Sequence, residues 1–125
     1  MAVTYATDVK NDRLDAVTTQ IDAGAGAGTL EIGTAGMAAV LATITLADPA
    51  APAAAGGVLT FTMPQSDTSA DADGTAAEAR IRDSDSNDVI TGLTVGTAAT
   101  DIILDSVSIT TGQTISISTA TITHA

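Results

Sequence analysis

The sequence of 125 residues contains no cysteine and no tryptophan, and its only tyrosine and phenylalanine are Tyr5 and Phe61. The absence of cysteine excludes disulfides, thiolate metal sites and cysteine nucleophiles. Because each large aromatic ring normally buries about 150–250 Å², a core without them must be built from isoleucine, leucine, valine and alanine. Such a core is thin, so we expect a lone protomer to be marginally stable and to gain stability by assembling with other copies.

Positive charge is also scarce. Lys10, Arg13, Arg80 and Arg82 are the only lysines and arginines against 15 acids, which gives a net charge of −11. A chain this acidic repels phosphate backbones and anionic lipid headgroups, so we expect no nucleic acid and no membrane among its partners. The acids are dispersed in a sequence that is 45% hydrophobic, which argues against a disordered acidic tail.

A long hydrophobic run is missing as well. The longest apolar stretch, residues 37–47, is far shorter than the ~20 residues that cross a bilayer as a helix. The first five residues have neither the basic nor the hydrophobic region of a signal peptide. The sequence therefore predicts neither a membrane span nor a secretion signal.

Residues 8–22 have the periodicity of a single amphipathic helix. Leu14, Val17 and Ile21 follow the spacing i, i+3, i+7 and form a narrow apolar stripe. A stripe this narrow suits a helix that lies on a surface, either that of its own sheet or that of a neighbour. We therefore take these three residues as a candidate docking stripe.

The ends of this helix define a first segment of the chain. Thr7 or Asp8 is expected to cap its start. The run of alternating alanine and glycine at 23–28 follows it and is expected to form a flexible hinge. We therefore predict an N-terminal arm at 1–28 and a β domain at 29–125.

After residue 28 the apolar period changes from 3.6 to 2, the period of a β-strand. Ile122 breaks the alternation of the last strand, which predicts a bulge or a bend there. About six to eight short strands between turn-rich segments indicate an all-β fold, an antiparallel sandwich or barrel with one N-terminal helix. The candidate strands are 29–32, 40–46, 59–63, 77–82, 89–95, 101–105, 107–109 and 115–118.

A first acidic loop has part of the pattern of a calcium-binding EF-hand. With Gly74 at the sixth position, Ser69, Asp71 and Asp73 occupy the first, third and fifth positions. The twelfth position, which needs a glutamate, is Arg80. The loop therefore fails as an EF-hand, and a hairpin turn is the simpler interpretation.

A second acidic loop departs from the same pattern. Asp83, Asp85 and Asn87 supply oxygens at positions one, three and five, but Asp88 stands where glycine is required and Thr94 where glutamate is required. We favour a turn whose side chains bond their own backbone. A calcium-dependent β binding module that uses the first three residues remains the alternative.

No constellation of catalytic residues is evident. His124 is the single histidine, one residue from the end of the sequence, whereas a catalytic histidine needs an orienting acid and a nucleophile in a formed pocket. The glycines at 24–28 follow a helix and precede a strand, the reverse of a dinucleotide-binding loop. We therefore predict that the chain is not an enzyme and has no cofactor or metal.

Two arginines are candidates for an interface. Arg80 and Arg82 occupy one face of a predicted strand, where they can form ion pairs across a subunit boundary. A solvated face is an equally good interpretation. Together with the stripe Leu14, Val17 and Ile21, they are the interface residues that the sequence suggests.

Several short segments of the sequence resemble parts of small structural proteins from the virions of tailed bacteriophages, which are rich in alanine, threonine and glycine. The resemblance rests on the residues at 41–49, 56–59, 66–72, 80–85 and 108–115. It extends over most of the chain and includes no functional signature, so no site residue transfers with it.

What the resemblance implies is a capsid decoration (cement) protein. Such a protein is expected to bind the major capsid protein on the head surface as a homotrimer and to stabilise the shell, with residues 1–23 reaching onto the capsid or a neighbour. It would be assembled in the host cytoplasm and would reside on the virion. A tail or fibre component is the alternative within the same class.

Overall fold

A computed structural model describes residues 3–62 and 65–124 of the chain. It has one α-helix, α1 (Thr7–Ile21), and a short 3-10 turn at Ala35–Met37. The ten strands of the described residues are β1 Thr29–Gly33, β2 Val40–Thr45, β3 Val58–Thr60, β4 Gln65–Asp67, β5 Gly74–Thr75, β6 Glu78–Arg82, β7 Asp88–Gly96, β8 Ile102–Leu104, β9 Ser108–Ile109 and β10 Ile115–Thr123. The prediction of an all-β protein with one N-terminal helix is confirmed, while Met63 and Pro64 lie outside the described residues.

Helix α1 begins one residue earlier than its sequence suggests. Ala6 has extended backbone angles and occupies the cap position without a side-chain cap bond, so the predicted cap by Thr7 or Asp8 is wrong. Both residues lie inside the first turn instead, where the Asp8 carboxylate is favoured by the positive end of the helix dipole. At the other end the chain leaves the helix through Asp22.

The sheet is mixed. Seven strands follow one another in the order β2-β1-β6-β7-β8-β10-β3, and β4 pairs with the first half of β10. Neighbours are antiparallel except β7 and β8, which run parallel through Val95 and Gly96 against Ile102 and Ile103. The predicted purely antiparallel sheet is therefore wrong at this one pairing. Strands β5 and β9 form a separate two-stranded pair.

The sheet curls until β4 lies beside β2. The Thr43 amide donates a hydrogen bond of 3.1 Å to the Asp67 carboxylate, and the Asp71 amide donates one of 2.7 Å to the Leu41 carbonyl. These bonds use donors and acceptors that would otherwise remain open along the edge of β2. The edge is thereby protected against pairing with another chain.

The register of β10 changes in its middle. The pairing with β8 shifts between Ile117 and Thr119, so the buried positions pass from Ile115 and Ile117 to Ala120. The break in alternation that Ile122 indicated is thus a bulge, which lies three to five residues before Ile122. By contrast, β4 and β5 lie between the predicted strands 59–63 and 77–82, where turns were expected. The sequence did not predict these two strands because neither has alternating apolar residues.

The core contains the buried residues of the helix and of both sheets in one cluster. It is built almost entirely from aliphatic side chains, as the composition predicts. Phe61 is its one aromatic residue within the described part of the chain. Its fully buried large side chains are Ile21, Leu30, Ile32, Leu41, Ile44, Leu59, Ile81, Ile102 and Ile117.

Candidate interaction surfaces

The apolar stripe of α1 faces the interior. Leu14 and Ile21 are buried, and Val17 packs half-buried against the same core. The helix lies next to β3 and β7. The three side chains predicted to dock onto a neighbour are therefore occupied within the chain itself. The predicted arm at 1–28 and the predicted domain at 29–125 contribute to one core.

A second stripe of α1 binds the loop that precedes β3. The carboxylate of Asp15 accepts a hydrogen bond of 2.7 Å from the Ala54 amide, and that of Asp22 accepts one of 3.1 Å from the Ala50 amide. The side-chain oxygen of Asn11 accepts a third bond, 2.9 Å long, from the Gly57 amide. We call these three bonds the helix–loop contact.

The helix–loop contact follows from helical spacing. Asn11, Asp15, Thr18 and Asp22 are separated by four, three and four residues and therefore share one face. Irregular backbone has no ladder for its amides, so the loop requires acceptors from elsewhere. Thr18 is the exception on this face, since it makes none of the three bonds. Its hydroxyl is buried and has no hydrogen-bond partner among the described residues. The sequence analysis missed this contact, although the polar spacing was a readable signal.

The exposed side of the helix and the segment before it carry large apolar side chains. Val3 is 81% exposed, Tyr5 42% and Val9 43%, and we call these three residues the N-terminal apolar group. The Arg13 guanidinium lies 4.7 Å from the centre of the Tyr5 ring, and the His124 ring meets the same ring edge-on. The two ends of the described chain thus meet beside this group.

Arg80 and Arg82 are engaged in ion pairs within the chain. Nε of Arg80 lies 2.5 Å from the Glu31 carboxylate, its direct cross-strand neighbour on β1. Nε of Arg82 lies 2.7 Å from Asp88 and 3.5 Å from Glu31. The two arginines were proposed to form ion pairs across a subunit boundary, but the structure gives both of them partners in the same chain.

The loop at 83–88 is a turn that bonds its own backbone. Oδ1 of Asp83 accepts hydrogen bonds from the amides of Asp85 and Asn87, and Oδ2 accepts one from the Asn87 side chain. The bonds from Asn87, its backbone amide first, hold the pKa of the Asp83 carboxyl below its ordinary value of 3.8. Within residues 3–62 and 65–124 no three metal-binding side chains are grouped around one point.

The other acidic loop uses its carboxylate in the same way. Asp73 accepts hydrogen bonds from the amide and the hydroxyl of Thr111, at 2.6 and 2.9 Å. These two bonds, the amide first, lower the pKa of the Asp73 carboxyl from 3.8. The carboxylate therefore fastens the segment before β5 to the turn after β9.

A shallow cleft of about 150 Å³ lies between the end of β8 and the start of β10. It is lined by Leu104, Asp105, Ser106, Gln113, Thr114, Ile115 and Ser116. Asp105 is the single titratable side chain in this lining, so the polar groups of the cleft are hydroxyls, the Gln113 amide and one carboxylate. His124 does not line this cleft. Its ring contacts Tyr5, and its backbone amide donates a hydrogen bond to the Gly57 carbonyl.

Comparison with known proteins finds no match to the chain among family models, curated proteins or solved structures. The one helix of the described residues, α1, has neither the length nor the apolar character needed to cross a membrane.

Proposed function

We propose that this chain is a structural protein of a tailed-bacteriophage particle, a decoration protein that binds the head surface as a homo-oligomer and reinforces the shell. The resemblance of residues 41–49 and 108–115 to virion proteins supplies the class of protein. The observation that carries the binding role is the N-terminal apolar group, because Val3, Tyr5 and Val9 are the large hydrophobic side chains most exposed among the described residues.

The proposed mechanism is burial of this group against the major capsid protein. The helix–loop contact holds α1 on the body through Asn11, Asp15 and Asp22, so Val9 is presented from a fixed helix and little order has to be gained on binding. Each site is weak alone, since three apolar side chains are few. Binding by several linked copies sums such weak contacts into a firm attachment.

The test is addition of the purified chain to phage heads that lack it, followed by co-sedimentation and a thermal-disruption assay of the heads. We expect saturable binding and a higher disruption temperature. The matched variants are Val3→Ser combined with Val9→Ser, and Ala16→Ser on the same exposed side of α1 as a control. Loss of two apolar contacts worth about 1 kcal/mol each should weaken binding at least tenfold, and the control should bind as the wild type does.

Substitution is a sharper test than deletion of residues 1–23. Deletion would remove Leu14 and Ile21 from the core and would confuse loss of binding with loss of the fold. If the chain does not bind heads, or if the double serine variant binds as tightly as the wild type, the proposal fails. Gold labelling of intact particles separates head from tail, and label on the tail would establish the tail or fibre alternative.

A further inference from the structure

Two of the four lysines and arginines of the chain have no acid beside them. Arg80 and Arg82 are engaged in ion pairs with acids of β1 and β7. Lys10 and Arg13 of α1 form no ion pair in the described part of the chain. In a sequence with 15 acids and a net charge of −11, two cations without a carboxylate partner on one helix require a physical reason.

The helical positions around Arg13 contain no acid. Residues three and four positions apart are neighbours on a helix surface, and an acid at such a position stabilises a nearby cation. The neighbours of Arg13 at these spacings are Val9, Lys10, Ala16 and Val17. Lys10 thus adds a second positive charge beside Arg13, and like charges at neighbouring helical positions repel each other.

The exposed acids of α1 lie on a different strip of the helix. Because successive residues are turned by about 100° around the helix axis, Asp12 is about 100° and Asp8 about 140° away from Arg13. Val9, with its exposed side chain, is only about 40° away. The loop that α1 binds, residues 49–57, has no charged side chain. Positive charge therefore lies directly beside the N-terminal apolar group.

The Arg13 guanidinium is placed by its contact with an aromatic ring. It lies over the Tyr5 ring, 4.7 Å from the ring centre, and the His124 ring contacts the same ring edge-on at 5.7 Å. A guanidinium has five N–H donors in a planar fork, and Arg13 donates none of them to an acceptor within the described residues. The side chain is thus restrained while its donors stay available, so that little order has to be gained on binding.

We infer that Arg13 determines the specificity of the proposed docking surface and that its guanidinium binds a carboxylate of the capsid partner. The inference rests on the proposed function and deepens it, because it gives the chemistry of the partner surface: acidic side chains next to apolar ones. Carboxylates are the anionic side chains of a protein surface, and the guanidinium fork matches their two oxygens. Arginine and tyrosine are also among the residues that contribute most to binding at interfaces.

The acidity of the rest of the chain then fixes its orientation on the partner. Apart from Lys10 and Arg13, the chain has 15 acids and only two arginines, and both arginines are already paired with acids. A surface of carboxylates repels such faces, and repulsion of like charges suppresses wrong contacts. The side of the molecule with Lys10, Arg13 and the N-terminal apolar group is therefore the one that such a surface attracts.

The test compares wild type and Arg13→Gln in binding to phage heads that lack the chain, measured by co-sedimentation. We expect the dissociation constant of Arg13→Gln to be at least about tenfold higher, as for loss of one partner of a charge pair. Arg13→Lys, which keeps the charge without the fork, should be intermediate. On heads whose carboxylates have been converted to amides with carbodiimide and methylamine, wild type and Arg13→Gln should bind equally weakly. The comparison on untreated heads decides the inference where amidation disrupts the heads.

The matched control is Asp12→Asn, at the adjacent exposed position, which changes the charge by one unit in the opposite direction. It should bind untreated heads at least as tightly as the wild type, and circular dichroism checks that each variant is folded. A basic partner surface would reverse the order, with Arg13→Gln binding more tightly and Asp12→Asn more weakly, and would overturn the inference.

Two further results would also overturn the inference. One is an Arg13→Gln variant that binds heads like the wild type. The other is an Arg13→Gln variant that binds heads normally but has a lower molar mass in solution, because Arg13 would then contact a second copy. Both results leave head binding by the wild type, and with it the decoration proposal, intact. A wild type that does not bind heads removes the decoration proposal itself and the inference with it, so the two failures are distinguishable.

Discussion

The amide of Ala54 donates a hydrogen bond of 2.7 Å to the carboxylate of Asp15, 39 residues away in the sequence. This bond belongs to a pattern in which acids support the backbone. The aspartates that accept bonds from backbone amides in the described residues are Asp15, Asp22, Asp67, Asp73, Asp83 and Asp101. Much of the acidity of the chain therefore serves its own loops and strand edges.

Replacing Asp15 by alanine should destabilise the protein through the helix–loop contact. The Ala54 amide is part-buried, and a hydrogen bond to a charged acceptor is worth about 1.5–3 kcal/mol. We expect a loss of about 1–2 kcal/mol in the free energy of unfolding, measured by urea denaturation. Asp12→Ala on the same helix is the control, because Asp12 is exposed and accepts no hydrogen bond among the described residues. Equal effects of the two substitutions would contradict the structural role of Asp15.

The opposite result is expected at Thr18. Its hydroxyl is buried beside the helix–loop contact and has no hydrogen-bond partner among the described residues, and an unsatisfied buried polar group carries a desolvation penalty of about 1–3 kcal/mol. Valine has nearly the same shape and a similar helix propensity. Thr18→Val should therefore raise the free energy of unfolding by up to about 1 kcal/mol.

Thr19→Val provides the comparison for Thr18, since its exposed hydroxyl bonds the Asp15 carbonyl one turn earlier. That exposed substitution should change stability by less than about 0.5 kcal/mol. A destabilised Thr18→Val would mean that the Thr18 hydroxyl is bonded in solution.

Sequence patterns located the helix and most strands because both depend on local periodicity. The helix predicted at 8–22 is Thr7–Ile21, and the strand predicted at 77–82 is Glu78–Arg82. The parallel pairing of β7 with β8 was not predictable, since pairing depends on contacts between distant segments. The ion-pair partner of Arg80 could not be predicted for the same reason, because Glu31 becomes its neighbour only when β1 and β6 pair.

The candidate site shows a similar limit. Periodicity identified Leu14, Val17 and Ile21 as an apolar stripe, but a stripe cannot reveal whether its partner is the same chain or another one. The structure gives the partner as the chain's own core. The exposed group of Val3, Tyr5 and Val9 was missed because it has no period and because the first residues precede the helix.

Acid should weaken the protein through Asp73. Hydrogen bonds from Thr111 lower the pKa of Asp73 in the folded state, so the ionised carboxylate contributes stability above the unfolded pKa of about 3.9. That contribution disappears as the pH falls through the lower folded pKa. The difference in unfolding free energy between the wild type and Asp73→Asn should therefore be constant well above the unfolded pKa and should shrink as the pH falls through the lower folded pKa.

The measurement for Asp73 is urea denaturation at a series of pH values, with Asp12→Asn as the matched control. Asp83→Asn should behave like Asp73→Asn, because bonds from Asn87 lower the pKa of Asp83 in the same way. A pH-independent difference for Asp73→Asn would show that the charge of this carboxylate does not matter to the fold.

The glycines after α1 lie where a flexible hinge was expected, but they differ in the space around them. A methyl group on Gly28 would lie 2.6 Å from the Arg82 carbonyl oxygen and 2.6 Å from a side-chain carbon of Ile21. A methyl group on Gly26 would have no neighbour within 4 Å. Gly28→Ala should therefore lower the free energy of unfolding by about 1–3 kcal/mol, as overpacking does, while Gly26→Ala should be neutral or stabilising by up to about 1 kcal/mol.

Thermal unfolding of the two variants measures this difference. A true hinge would tolerate both substitutions equally, so equal melting temperatures would mean that Gly28 does not pack between α1 and β6 in solution.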